Sequence, residues 1–155
     1  MLDLAVVGGT VVTGSATVVA DIGVRDGRVV ALAAPGTLTE DAVEVLDASS
    51  RIVVPGGIDS HVHFNIDLTE ALKAQTAVAG SRAAAFGGTT TFIDFGMQAG
   101  EQSPVGAVEN KLGELDAQQP HVDYALHLML TGEVSLAAMD ELADVVRGGV
   151  PSFKM

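Results

Sequence analysis

"PGGIDSHVHF", Pro55 to Phe64, marks the point where the chain changes rhythm. A short apolar run between a glycine pair and two histidines one residue apart reads as a strand. Side chains alternate along a strand, so Asp59, His61 and His63 are expected on one face, with Ile58, Ser60 and Val62 on the other. Two imidazoles on one face can grip one metal ion, with Asp59 orienting one of them from behind. The same residues also fit one functional histidine beside a packed neighbour, or two histidines facing solvent.

Downstream, "TTTFIDF", "DYALHLMLT" and "PSFKM" read as further strands, each preceded by a helix. The first helix is expected over about residues 68–86, opened by Asp67 and Glu70 as a capping box. Its inward stripe would be Leu68, Leu72, Thr76, Ala79, Ala83 and Phe86, and Gly87-Gly88 would stop it. The second opens at Ser103-Pro104, buries Val105, Val108, Leu112 and Leu115, and closes before Pro120. The third runs from Ser135 to Arg147 with Leu136, Met139, Leu142 and Val146 inward and Gly148-Gly149 as its stop. Such alternation builds βαβ units around a parallel sheet, which is either doubly wound or a closed barrel. Four strands and three helices make half of an eight-stranded barrel, and the chain ends inside an apolar strand, so it reads as the N-terminal part of a longer protein.

Upstream, residues 1–54 offer five or six short strands and no helix, with Asp26-Gly27 as the two-residue turn of a hairpin. The expected fold is therefore α/β: part of a small β-sandwich domain over residues 1–54, then an incomplete (β/α)8 TIM barrel over 55–155 ending at its fourth strand.

Composition narrows the function. A chain of 155 residues that is 48% hydrophobic can bury a core. Its net charge of -12, with no basic run, argues against nucleic-acid or anionic-membrane partners. The absence of cysteine excludes disulfides, thiolate zinc sites and cysteine nucleophiles. No signal peptide and no bilayer-length apolar run are read, so a soluble, cytoplasmic protein is expected. "VVGGTVVTG" lacks the glycine spacing of a dinucleotide site, and Ser60 has no nucleophile elbow around it.

Lys154 lies in the last strand, in a setting like that of the histidines. Burial would favour its neutral amine, which can add carbon dioxide to give a carbamate with two oxygens able to bridge two cations. From this residue alone, a snorkelling or exposed lysine near a frayed end is the favoured reading. Asp94, near the end of "TTTFIDF", reads as a residue behind the site or at the core edge; His127 reads as a hydrogen-bonded core residue and His121 as a surface one.

"PGGIDSHVHF", "AAAFGGTTTFIDF", "VDYALHLMLTG" and "VPSFKM", in this order and spacing, resemble the cyclic amidohydrolases of the dihydropyrimidinase and hydantoinase type over essentially the whole chain. The resemblance implies that His61 and His63 bind the buried metal and that Lys154, carboxylated, bridges it to a second. It implies two divalent ions, expected to be zinc, and attack of a metal-bridging hydroxide on a cyclic amide to give an N-carbamoyl amino acid. The small-molecule substrate is then a dihydropyrimidine or hydantoin, and a homo-oligomer, tetramer or dimer, is expected. The family's remaining two histidines, its aspartate and its oxyanion-holding tyrosine come from later segments. No catalytic residue is therefore assigned within this stretch, and the chain alone is expected to be inactive. Asn65 stands where hydantoinase-like sequences more often carry aspartate and dihydroorotases an arginine, and it keeps an allantoinase as an alternative. A non-catalytic scaffold relative of the same fold is the other alternative, as is a partly folded piece that associates through the exposed edge of its fourth strand.

Overall fold

Asp26 and Gly27 both take positive φ, 51° and 70°, the pairing that a two-residue hairpin needs to match the twist of its strands. They join β2 (Thr17–Arg25) to β3 (Arg28–Ala33), as the sequence predicts. The computed structural model describes residues 1–66 and 74–155 and divides into two units, Met1–Pro55 and Gly56–Met155. In the first, β1 (Leu2–Val12) pairs antiparallel with β2, while β4 (Ala42–Asp47) and β5 (Ile52–Val53) join β1 in parallel. All five strands belong to one mixed sheet, so the expected sandwich portion is a single layer among the described residues. Asp21, fully buried in β2, accepts the backbone N–H groups of Gly8 and Thr37, each at 2.9 Å, and of Leu38 at 3.3 Å.

The second unit holds β6 (Gly57–Asp59), α1 (Ala77–Phe86), β7 (Thr89–Ala99), α2 (Pro104–Gln118), β8 (Asp123–Thr131), α3 (Leu136–Arg147) and β9 (Phe153–Lys154). All its strand pairs are parallel and the order β6-β7-β8-β9 follows the chain. Sequential order without a reversal removes the doubly wound option for this sheet. What stands is an α/β unit with a curled parallel sheet, half of a barrel. Phe92, Leu126, Leu128 and Leu130 of the sheet pack with Ala77, Ala107, Val108, Leu115 and Val145 of the helices. No helix among the described residues is long and apolar enough to cross a membrane.

Helix boundaries and faces depart from expectation in two places. Asp67, Leu68, Glu70 and Leu72 lie outside the described residues, and α1 starts at Ala77 with Thr76 as its N-cap. Its buried residues are Ala77, Gly80 and Ser81, while Phe86 of the expected stripe is exposed. Gly80 is required here: a Cβ would sit 2.1 Å from the Phe64 ring. In α3 the buried residues are Ala138 and Val145, leaving Leu136, Met139 and Val146 outward. In α1 the residues turned inward are small, which lets the helix approach β7 closely, whereas α3 packs chiefly against α2. The second helix follows expectation, with Ser103 capping Gly106 N–H at 3.1 Å and Pro104 first in line.

Candidate metal centre

The strand carrying the histidines is shorter than its sequence predicts. β6 stops at Asp59, and His61 and His63 ride on the segment that follows, held to β7 by a backbone bond from Val62 N–H to Ile93 C=O at 3.1 Å. They still converge: His61 Nε2 and His63 Nε2 are 3.2 Å apart. Their common floor is Phe95, which points from β7 to the side opposite the helices, with ring centroids 4.8 Å from His61 and 4.7 Å from His63.

Asp59 is spent on the backbone, accepting His61 N–H at 3.1 Å, and not on an imidazole. Asn65 takes a left-handed conformation (φ 58°) and accepts the N–H of Ala77, 3.2 Å away, at the start of α1. Asp94 is fully buried on the helix side of β7 and accepts Phe64 N–H at 3.3 Å. Lys111 of α2 meets it at 3.1 Å and donates to Phe64 C=O at 2.8 Å. The ion pair thus holds both polar groups of the residue that follows His63.

Lys154 extends from β9 with Nζ 5.0 Å from the centre of the Phe95 ring. It is exposed, not buried, because β9 is paired only to β8 and nothing among the described residues covers its other edge. His61, Phe95, His127, Ser152 and Lys154 line one open cleft. His127 hydrogen-bonds Ser152 Oγ through Nδ1 and the Ser60 carbonyl through Nε2, the latter at 3.1 Å.

The imidazole pair has the bite of a metal site. Two nitrogens about 2.0–2.1 Å from a tetrahedral zinc are about 3.3 Å apart, close to the 3.2 Å found. Burial lowers the pKa of His63 below its ordinary value, and the charges of His61, Lys154 and Lys111 add to the effect against Asp94. A neutral imidazole keeps a lone pair for a cation near pH 7. His63 Nδ1 is buried with no hydrogen-bond partner among the described residues, and these residues bring no three His, Asp or Glu side chains together on one point. They therefore fit part of a metal shell.

A family model described as the Amidohydrolase family matches residues 52–146, well over half of the chain. The chain belongs to the amidohydrolase family. This amidohydrolase sequence is 40% identical to a D-hydantoinase of Streptomyces coelicolor over 95% of its own length and 32% of that protein's. To a dihydropyrimidinase of Arabidopsis thaliana it is 34% identical, over 95% of its own length and 27% of the relative's. A crystal structure of D-hydantoinase superposes with a TM-score of 0.88 at 32% identity, covering 99% of this chain and 32% of that one. Dihydropyrimidinase from Brevibacillus agri does so with a TM-score of 0.88 at 33% identity, again over 99% and 32%. The amidohydrolase chain thus spans about a third of the length of the relatives it matches.

Sequence reasoning overlooked Phe95, Lys111 and Ser152 in this site. A signal existed for one of them. Lys111 interrupts the stripe Ala107, Val108, Leu115 at helical spacing, while Asp94 interrupts an apolar strand, and two opposite charges in apolar settings find each other.

Proposed function

We propose that His61, His63 and Lys154 supply part of the metal centre of a cyclic-amide hydrolase. In the full-length protein it would open a hydantoin or dihydropyrimidine ring to an N-carbamoyl amino acid. The observation that carries this reading is the convergence of two Nε2 atoms to 3.2 Å above Phe95, with Lys154 in the same cleft. The names of the relatives, D-hydantoinase and dihydropyrimidinase, support the substrate class. A bound divalent metal, zinc in the first instance, would supply Lewis acidity towards the amide carbonyl and an activated water. His61 and His63 would hold it through Nε2, Lys154 as its carbamate would offer two oxygens, and Phe95 would keep water from beneath the site. The Asp94–Lys111 pair holds the backbone after His63, so the imidazoles reach the metal without rearrangement.

The test is zinc content after dialysis, together with hydantoin, dihydrouracil and allantoin ring opening by the full-length protein. His61→Ala and His63→Ala are expected to lose zinc and, in the full-length protein, all turnover; the 155-residue chain alone is expected to bind zinc weakly and open no ring. Zinc content equal in the wild type and the double variant would overturn the metal centre. Zinc retained without turnover of any of the three rings would favour a non-catalytic member of the fold.

A further inference from the structure

His61 and His63 leave the sheet after β6, whereas Lys154 arrives on β9, and these strands lie at opposite edges of the four. Among the described strands β6 pairs with β7 alone, so the sheet ladder does not by itself fix the distance from the imidazoles to the lysine. Among the described residues, a single hydrogen bond joins residues 57–66 to β8 or β9, the one from His127 to Ser60. It passes across β7 above Phe95, whose ring centroid is 5.1 Å from that of His127. The other nitrogen of the same ring meets Ser152, two residues before Lys154.

The donors can be assigned. The Ser60 carbonyl only accepts, so His127 Nε2 carries a proton, and in the neutral ring Nδ1 receives the Ser152 hydroxyl hydrogen. One neutral tautomer satisfies both bonds and leaves no lone pair for a metal, which separates His127 from its neighbours in the cleft. We propose that His127 is a positioning residue, a brace that sets the spacing between the His61–His63 pair and Lys154. Its consequence for metal binding rests on the proposed metal centre; the brace itself does not.

Two measurements on the isotope-labelled 155-residue chain test this. Long-range proton–nitrogen correlation reads the His127 tautomer, and cobalt(II) titration reads affinity and visible spectrum for wild type, His127→Ala, His127→Gln and Ser152→Ala. The wild type is expected in the Nε2–H form. His127→Ala should weaken cobalt binding on the order of tenfold, as loss of groups that orient metal ligands does, and alter the spectrum. His127→Gln, whose amide N–H reaches towards Ser60, should recover part of both, and Ser152→Ala should mix the tautomers. An Nδ1–H form in the wild type, or His127→Ala matching wild-type affinity and spectrum, overturns the brace. If the wild type takes up no cobalt, the expectation that this chain binds metal by itself fails instead. The brace then stands if His127→Ala displaces the His61 and Lys154 resonances and falls if they stay in place.

Discussion

Lys111 carries a charge into a site where its side chain is 8% exposed, opposite a carboxylate that is fully buried. Such a pair gains little over an apolar pair of equal volume, but losing one partner strands the other. Lys111→Met is therefore expected to destabilise the chain by about 3–5 kcal/mol, read as a shift in the urea midpoint. Asp94→Leu combined with Lys111→Met should recover most of that loss; a double variant no better than the single would show that the pair's worth lies elsewhere. Glu114, 3.4 Å from Lys111 and partly exposed, is too wet to replace Asp94.

At the scale of elements, α1 shows how packing reverses a propensity. Alanine normally stabilises a helix over glycine by about 1 kcal/mol. At Gly80 the added methyl would meet the Phe64 ring at 2.1 Å, and overpacking of that kind costs about 1–3 kcal/mol. Gly80→Ala is thus expected to lower the thermal midpoint, and Phe64→Leu in the same chain should restore part of it. A rise on Gly80→Ala alone would mean that the ring moves freely. The positions of α2 and α3 were legible in the sequence, while the start of α1 and the helix faces were not. Ser103-Pro104, Ser135 and the paired glycines mark ends by local chemistry, and α2 and α3 begin where these residues place them. A reading that puts large apolar residues inward assigns Phe86 and Leu136 to the core, yet both are outward; in α1 close packing selects Ala77, Gly80 and Ser81 for the inner face.

At the scale of the whole molecule, acid stability has an identifiable contributor in the N-terminal unit. Burial raises the pKa of Asp21, but N–H groups of Gly8, Leu38, Thr37 and Gly36 outweigh it and hold the carboxyl below its ordinary value. Between the folded pKa and the unfolded one, about 3.9, the unfolded chain binds more protons, so stability rises with pH there. The contribution is complete above about pH 4 and disappears as pH falls through the folded value. Asp21→Asn should accordingly be less stable than wild type at pH 6, with the gap narrowing below pH 4 in denaturant titrations; a constant gap would remove ionisation as its cause. The alternation of strands and helices and the His61–His63 pair were visible in the sequence because each is a local pattern. Lys111 reaching Phe64 and His127 reaching Ser60 were not, since their partners lie 47 and 67 residues away and leave no local trace.

That separation has a kinetic meaning. Closing a 67-residue loop costs about 0.6 kcal/mol more in chain entropy than closing one of 33, the span between Thr131 and Gln98 on neighbouring strands. Contacts between β7 and β8 can therefore accumulate before His127 finds Ser60, so the brace closes late in refolding and opens early in unfolding. Amide exchange should show the segment from Ser60 to His63 fluctuating open while β7 and β8 remain protected. The segment that carries the two imidazoles is then expected to open before β7 and β8 do.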